Sequence, residues 1–406
     1  MQYKTLLWTT FLLLIFGHIS GQPTWIQKAN FPAAMLRQGA SGFTIGNYGY
    51  IGCGYDGNVF LTDFWKWDQS TDAWSQIANL PSVGRAKPMT FSISNKGYIV
   101  GGGGPMFTIY DDCWEYDPIL NQWMLKANFG GGTRNLGVAF SISGKGYVIT
   151  GQGGTVIDMK NDLWEFDPIV NNWTQKTDFP LGKRVMGVGF SVGNMGYFGM
   201  GMDSSATMHN DFWQYDPFLD IWTQEANYPG TALSQAAGFV INNKGYVCTG
   251  ADPNTGFTND FYEYDPATNL WNQLQGLLTP PRCNAVGLSI GSRGYVGLGS
   301  ISSSTWLKDF WEWNPNATGI QEPISQSSIS LYPNPFSEQT TLSTHNVLNN
   351  ATLTVYNLQG QTVKQINSLD GKAIIFYRDN LPGGLYFLQL AQDSRVIATD
   401  KLVITD

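Results

Sequence analysis

The stretch WIQKANFP, residues 25–32, decides the fold of this 406-residue chain. It nearly repeats WSQIANLP, residues 74–81, and a tryptophan recurs at the same spacing through much of the sequence. The recurring positions, 49 or 50 residues apart, are Trp25, Trp74, Trp123, Trp173, Trp222 and Trp271. A fixed period of this length indicates an array of equivalent units, and we expect these tryptophans to be structural.

Each unit carries the pattern of four short strands, as the copy from 137 to 173 illustrates. GVAFSIS (137–143) and GYVITG (146–151) flank a tight turn, and we expect the glycine before the tyrosine, Gly146, to take a positive φ there. DLWEFD (162–167) has the period-two alternation of a third strand. DPIVNNW (167–173) is typical of a turn into a fourth strand, because Asn171 tolerates the left-handed conformation.

The repeat resembles the kelch motif over residues 25–314. Glycines close the second strand, an aromatic residue and a tryptophan follow, and the double glycine of the family survives in GGGG (101–104) and GQGG (151–154). Elsewhere GCG, GMG and GLG replace it. The resemblance implies a β-propeller of the galactose oxidase-like superfamily, in which radial repetition leaves only short, protected sheet edges.

The last unit lacks its own fourth strand. DFWEWNPNATGIQEP (309–323) contains the third strand but reaches no tryptophan, whereas residues 25–32 form a fourth strand with no unit before it. We therefore expect the N-terminal strand to complete the last sheet, because an open ring would leave an unpaired strand edge. The prediction is an all-β, six-bladed propeller over residues 22–314.

A linker at 315–328 precedes a second domain at 329–406. Its alternating segments, including ATLTVYN (351–357) and GLYFLQLAQ (384–392), predict a small Ig-like β-sandwich of six or seven strands. Four ordered motifs resemble the C-terminal sorting domain of the type IX secretion system of Bacteroidetes: LYPNPF (331–336), LTVYNLQGQTV (353–363), LPGGLYFLQL (381–390) and the final DKLVITD. That resemblance implies the type IX machinery as a partner. An ordinary terminal sandwich used for binding is the alternative.

The first 21 residues have the layout of a secretory signal peptide. Lys4 precedes an apolar run from Leu6 to Phe16, which small and polar residues follow. The run is too short to span a bilayer and no other segment reaches 18 apolar residues, so we expect no transmembrane segment. With the sorting resemblance, this predicts export through the periplasm to the cell surface or the medium.

Composition excludes several function classes. The net charge of −8 offers no basic patch for nucleic acid. His209 is the one histidine between residues 22 and 314, so neither the copper site of the related oxidases nor a zinc site can be assembled, and we expect no metal and no cofactor. Cys53, Cys113, Cys248 and Cys283 show no CxxC spacing, and we favour buried thiols over disulfides. We expect a monomer.

Five arginines precede the innermost strands and are the first candidate ligand-binding set. They stand 12 residues before a Gly-Tyr glycine, at Arg37, Arg85, Arg134, Arg184 and Arg282, while the fifth unit has Leu233 instead. We expect them to ring one mouth of the central channel, where converging guanidinium groups would favour a carboxylate, a sulfate or an acidic sugar. The alternative is that each arginine binds repeated carboxylates or carbonyls of the scaffold.

The connections between second and third strands supply the second candidate set, and strand direction places them on the same face. They vary between units and carry Phe60, Phe107, Tyr110, Met159, Lys160, His209, Phe257 and Trp306. Aromatic side chains there could stack on sugar rings or seat a protein loop, and drift at exposed turns is the alternative. Carboxylates at repeated positions are expected to be scaffold: the Asp63 series, present in all six units, and the Glu115 series, present in four.

These observations predict a secreted or cell-surface propeller that binds a glycan or a protein, with no catalytic residue assigned. The alternative is a metal-independent enzyme acting on sialic acid-like sugars, of the mutarotase or epimerase type that the kelch resemblance includes. Asp158, Asp203 and Asp252 lie in variable connections, but no unrepeated pair of carboxylates marks an active site.

Overall fold

The computed structural model describes residues 24–32, 36–154, 158–315, 329–392 and 395–405. The chain divides into two compact units, residues 1–318 and 319–406. The predicted signal peptide and nearly all of the predicted linker lie outside the described residues.

The first unit consists of six four-stranded antiparallel sheets, which are the blades of a propeller. The chain begins with β1 (Thr24–Lys28) and then forms the first blade, β2 (Ser41–Ile45), β3 (Tyr48–Gly52), β4 (Phe64–Asp68) and β5 (Ala73–Ile77). The second blade is β6 (Met89–Ile93), β7 (Lys96–Gly103), β8 (Ile109–Asp117) and β9 (Gln122–Leu125), with a 3-10 turn at Pro105–Phe107. The third is β10 (Val138–Ile142), β11 (Lys145–Gln152), β12 (Met159–Asp167) and β13 (Asn172–Lys176).

The remaining blades follow the same order. The fourth is β14 (Val188–Val192), β15 (Met195–Gly199), β16 (Phe212–Asp216) and β17 (Ile221–Gln224). The fifth is β18 (Ala237–Ile241), β19 (Lys244–Asp252), β20 (Gly256–Asp265) and β21 (Leu270–Leu274). The sixth has three consecutive strands, β22 (Val286–Ile290), β23 (Arg293–Gly297) and β24 (Phe310–Asn314).

The fourth strand of the sixth blade is β1, which confirms the predicted closure. Strand β1 runs antiparallel to β24, with Trp25 opposite Trp313 and Lys28 opposite Phe310. Each innermost strand contacts that of the next blade, and β22 contacts β2. The ring is therefore closed by six blades.

The repeated tryptophans tie each blade to the one before it. In every blade the indole N–H donates to a backbone carbonyl at the end of the preceding blade's fourth strand, as Trp173 does to Ala127 at 3.1 Å. The closing blade follows the rule, because Trp25 donates to Gln275 at 3.0 Å and Trp74 donates to Ala29 at 2.9 Å. A tryptophan at this position therefore stabilises an interface between blades as well as its own sheet.

The glycine before each repeated tyrosine has a different cause from the one expected. Gly146 does not have a positive φ; Ser143 and Gly144 of the same turn do, with φ of 50° and 81°. A Cβ on Gly146 would lie 2.2 Å from the Phe91 ring of the neighbouring blade. The glycine is thus required by packing between blades rather than by the turn.

The four cysteines are buried thiols and form no disulfide, as expected. Burial raises the pKa of Cys53 to about 12, so its thiol stays protonated at neutral pH. Cys53, Cys113 and Cys248 are completely buried, and Cys283 is 4% exposed. They pack as small apolar side chains.

The described residues of the second unit, 329–392 and 395–405, form an all-β, sandwich-like domain of five strands rather than six or seven. The strands are β25 (Ile329–Tyr332), β26 (Gln339–Tyr356), β27 (Thr362–Tyr377), β28 (Gly384–Gln392) and β29 (Arg395–Ile404). The count is lower because β26 is one long strand where two were expected. Its first half pairs with β25 and its second half pairs with β28. Register shifts along β26 and β27 accommodate the change of partner. Leu353, Val355, Leu388 and Leu390 belong to its core.

Candidate functional site

One face of the propeller is built from two kinds of connection, and we call it the loop face. It comprises the segments that lead into the innermost strands and the segments between second and third strands. In every blade one residue of the first kind bridges one of the second kind: Gln38 with Tyr55, Ala86 with Gly103, Asn135 with Gln152, Val185 with Met202, Ser234 with Ala251 and Cys283 with Ser300. Both kinds of connection therefore share a face, as the strand directions predicted.

The five arginines are buried and paired with repeated carboxylates, which is the scaffold alternative to the predicted ligand-binding ring. All are at most 3% exposed. Each forms a two-point ion pair with the repeated aspartate just before or within the third strand of its own blade, and Arg134 is typical, with its Nη1 and Nη2 at 2.7 and 2.9 Å from Asp162. The other pairs are Arg37 with Asp63, Arg85 with Asp112, Arg184 with Asp211 and Arg282 with Asp309.

The physical reason is that a guanidinium group removed from water is stable only with an opposite charge and hydrogen-bond acceptors beside it. Each arginine also donates to the carbonyl that ends the second strand, for example Arg134 to Thr150 at 2.7 Å. The aspartate is held ionised in return: burial acts to raise the pKa of Asp63, but its hydrogen bonds and ion pair with Arg37 lower it overall. The repeated arginines and aspartates are thus scaffold.

Tyr110 belongs to this scaffold as well. Its ring lies under the Arg85 guanidinium, with the arginine Cζ 4.5 Å from the ring centre. Arg37, Arg134 and Arg184 are placed similarly over phenylalanines of the segment before them. Tyr110 is therefore committed to a cation–π contact rather than free to receive a ligand.

Blade five is the exception to the arginine pattern. Leu233, 1% exposed, replaces the arginine, and Tyr262 replaces the tryptophan whose indole donates to the aspartate elsewhere, as Trp164 does to Asp162. Asp260 consequently accepts no side-chain hydrogen bond and forms no ion pair within the described part of the chain. This blade holds its fold without the ion pair.

A ring of six residues surrounds the axis on the loop face, and we call it the mouth ring. It stands two residues after each arginine position and consists of Gly39, Lys87, Leu136, Met186, Gln235 and Asn284. All six have left-handed backbone, with φ between 53° and 65°. Backbone hydrogen bonds join neighbours across blades, for example from the Lys87 N–H to the Gly39 carbonyl at 2.7 Å and from the Gln235 N–H to the Met186 carbonyl at 2.9 Å.

Sequence reasoning missed the mouth ring. Its backbone repeats in every blade, but its side chains are different in all six, so periodicity gives no signal there. Two features of the sequence could have identified it. The first is the fixed spacing of two residues from each arginine position. The second is that the side chain changes from blade to blade at this spacing, as expected of a surface that binds a ligand without the symmetry of the propeller.

Lys87 is the only ionisable side chain of the mouth ring. It forms no hydrogen bond or ion pair with its side chain in the described parts of the propeller. Burial lowers the pKa of Lys87, although the nearby Cys283 thiol acts in the opposite direction. Together the ring residues line a cavity of about 180 Å³ at the mouth.

A second cavity, of about 340 Å³, lies beside the mouth between the connections of blades two and three. Phe60 and Phe107 supply aromatic surface to it, and Asn135 and Gln152 supply amides. Lys87 and Leu136 line both cavities, so the two are adjoining. The Asn135 Oδ1 is buried and has no hydrogen-bond partner among the residues that the structure describes.

Phe107 is presented to solvent by a strained turn. It is 93% exposed and its neighbour Met106 is 96% exposed. Both have left-handed backbone, with φ of 59° and 53°, a conformation that costs roughly 1–2 kcal/mol for a residue with a side chain. Strain of this kind concentrates at sites that bind or switch.

The other predicted site residues are placed elsewhere on the loop face. Lys160 pairs with Asp158 at 2.7 Å, and the His209 Nε2 lies 2.9 Å from the Asp203 carboxylate. Trp306 packs between blades six and one, because its ring centre is 6.4 Å from that of Tyr55. Phe257 lies half-buried on β20. Of the predicted set, Phe60 and Phe107 line the cavity beside Lys87.

The described ranges contain no group of three His, Cys, Asp or Glu side chains that could hold a metal ion. Nor do they contain a helix long and apolar enough to cross a membrane.

Comparisons with known proteins agree with this architecture. Residues 330–405 match the model of the secretion system C-terminal sorting domain, and residues 53–81 match the kelch motif. No curated protein is detectably similar in sequence. The solved structure of YjhT superposes with a TM-score of 0.61 at 16% identity, over 70% of this chain and 96% of that one. The chain therefore has the fold of a six-bladed β-propeller with a match to the kelch motif at residues 53–81, followed by a domain that matches the secretion system C-terminal sorting domain at residues 330–405.

Proposed function

We propose that the protein is exported by the type IX secretion system and binds a glycan on the loop face of its propeller. The sorting domain supports the export step. The 340 Å³ cavity beside Phe107 is the observation that carries the binding step, because its volume lies within the range of small-ligand sites.

The chemistry of the cavity suits a sugar better than an apolar ligand. A sugar ring presents C–H groups on its faces and hydroxyls on its rim. Phe60 and Phe107 offer aromatic surface for the former, and the amides of Asn135 and Gln152 can both donate to and accept from the latter. The unpartnered Asn135 Oδ1 is an acceptor that a ligand hydroxyl would satisfy.

Binding is favoured over catalysis by the state of the ionisable side chains around the face. Asp203 is occupied by His209, Asp158 by Lys160, and Asp252 by two backbone N–H groups of its own turn. These pairs are local to one connection each. The enzyme acting on sialic acid-like sugars has no specific observation in its favour among the described residues.

A glycan array probed with the purified full chain tests the binding step. We expect selective binding to a subset of glycans, competed by the same free sugar. If no glycan binds and a defined protein ligand binds at the loop face instead, the glycan proposal is wrong and the protein-binding hypothesis replaces it.

A reporter fusion tests the export step separately. We expect a reporter bearing the signal segment and residues 329–406 to reach the surface or medium of a type IX-competent host. The same fusion without residues 330–405 should remain in the periplasm. Surface delivery of both fusions would show that the domain is not the sorting signal.

A further inference from the structure

We propose that Lys87 is the anchor for an acidic group of the ligand, a carboxylate or a sulfate, held at the mouth of the central channel. This inference rests on the proposed glycan site and specifies its ligand class. It concerns a lysine that occurs at its position of the repeat in one blade only.

Of the six side chains of the mouth ring, only that of Lys87 is charged. Gly39, Leu136, Met186, Gln235 and Asn284 are neutral. Three of the repeated lysines in other parts of the blades have carboxylate partners: Lys96 with Asp117, Lys145 with Glu165 and Lys244 with Glu263. Lys87 has none among the described residues, so its ammonium group can pair with an acidic group of a ligand.

Gly39 provides the room that the Lys87 side chain occupies. A Cβ on Gly39 would lie 2.9 Å from Lys87 Cγ, so a larger residue in blade one would displace the lysine stem. The stem therefore crosses the ring beside blade one, and the ionisable group that its charge acts on is Cys283 of blade six, a thiol whose pKa is raised by burial. No acidic side chain of the mouth ring competes for the ammonium group.

In the free protein, burial destabilises the charged form of Lys87, and a bound anion would offset this effect. Partial burial disfavours the charged form of Lys87 and lowers its pKa. An acidic group beside the ammonium would favour the charged form, so binding should raise the pKa of Lys87 again. Since Lys87 lines both cavities, one ligand can place its acidic group at the mouth and its sugar ring against Phe107.

The test compares acidic glycans with forms that lack only the charge. Oligogalacturonate and sulfated oligosaccharides represent the two acidic groups, and the methyl ester and the unsulfated sugar are their neutral counterparts. Lys87→Asn removes the charge and keeps the left-handed backbone, because Asn284 occupies the same position in blade six with φ of 53°. Lys183→Gln, an exposed lysine of the loop face, is the charge-matched control.

We expect the native protein and the Lys183→Gln variant to prefer the acidic form, and Lys87→Asn to lose that preference by roughly 10- to 100-fold in affinity. Lys87→Arg should retain most of it. Equal binding of acidic and neutral forms by the native protein, or an unchanged preference in Lys87→Asn, would overturn the role of Lys87 and leave the glycan site intact. Failure to bind any glycan would overturn both.

A spectroscopic readout separates a charge role from a structural one. Reductive ¹³C-methylation allows the pKa of Lys87 to be followed by NMR, with the signal assigned by its absence in Lys87→Asn. We expect a pKa below that of the exposed lysines in the free protein and an upward shift when the acidic glycan binds. An ordinary pKa that does not respond to the glycan would contradict the proposal.

Discussion

Trp25 and Trp313 lie directly opposite each other on paired strands, with ring centres 5.3 Å apart, although they come from the two ends of the propeller sequence. Trp25 also packs against Phe261 of the fifth blade at 5.0 Å. One N-terminal strand thus completes the sixth sheet and contacts the preceding blade, which makes the closing strand central to the stability of the ring.

Deletion of residues 25–32 should destabilise the propeller more than a Trp173→Ala change. Removing an internal tryptophan costs about 3–5 kcal/mol, whereas the deletion removes Trp25, the hydrogen bonds of β1 and the cover of Trp313 together. Thermal unfolding followed by near-UV circular dichroism measures the difference. Equal melting temperatures for the two variants would contradict a closing role for β1.

Breaking one buried ion pair should cost far more in blade three than the matching change costs in blade five. Asp162→Asn leaves the fully buried Arg134 without its counter-charge, and we expect a loss of about 3 kcal/mol in the free energy of unfolding. Asp260→Asn removes a carboxylate with no partner among the described residues and should change stability by less than about 0.5 kcal/mol. Chemical denaturation compares the two. Similar losses would show that Asp260 has a structural role of its own.

The ion pairs should make the propeller sensitive to acid in a defined window. Burial acts to raise the pKa of Asp112, but its hydrogen bonds and ion pair with Arg85 lower it below the usual 3.8. A lowered folded-state pKa contributes stability that is present above pH 3.8 and is lost as the pH falls through the folded-state value. Stability should therefore decline below about pH 4.

Asp112→Asn tests this sign. The variant should be less stable at pH 7, and between pH 2 and 4 its free energy of unfolding should depend less steeply on pH, by up to about 1.4 kcal/mol per pH unit for one proton. An identical pH slope in native and variant proteins would mean that Asp112 does not titrate differently on folding.

Phe107→Ala should weaken glycan binding without affecting stability. The side chain is 93% exposed, so its loss removes little buried surface, while loss of a stacking contact should lower affinity by about 10-fold. Phe218→Ala is the matched control, because Phe218 is also 93% exposed but lies in the turn before β17, outside the loop face. Equal effects of the two changes on binding would remove Phe107 from the site.

The four thiols should be unreactive until the protein unfolds. Burial raises the pKa of Cys53 to about 12 and raises the pKa of the other three thiols as well. Since the thiolate is the reactive form, Ellman's reagent should label none of them rapidly in the native protein and all four in concentrated guanidinium chloride. Fewer than four after denaturation without a reductant would reveal a disulfide.

Repetition explains why so much of the architecture could be predicted. A unit that recurs six times states its strands, turns and glycines six times over, and the one departure, the misplaced tryptophan at residue 25, identified the closing strand. The sequence identified the structurally important positions more reliably than it identified why each residue is required there. Gly146 was correctly picked out, but the phenylalanine that requires it belongs to a different blade and could not be read from local sequence.

The candidate site shows the limit of the same logic. The arginines stood out because they repeat, and repetition is the mark of scaffold: the structure pairs each with an aspartate, Arg134 with Asp162 among them, 27 or so residues later in the chain. Lys87 and Asn135 gave no periodic signal, because the residues at the same positions of the other blades are different.

The sequence by itself determined the number of blades, the way the ring closes and the similarity of the C-terminal domain to sorting domains. Each of these follows from a local pattern or a fixed spacing. Only the tertiary structure decided which charges are neutralised by a partner and which have none among the described residues. That decision depends on burial and on contacts between blades, as where Gly39 makes room for Lys87, and no single repeat contains both residues.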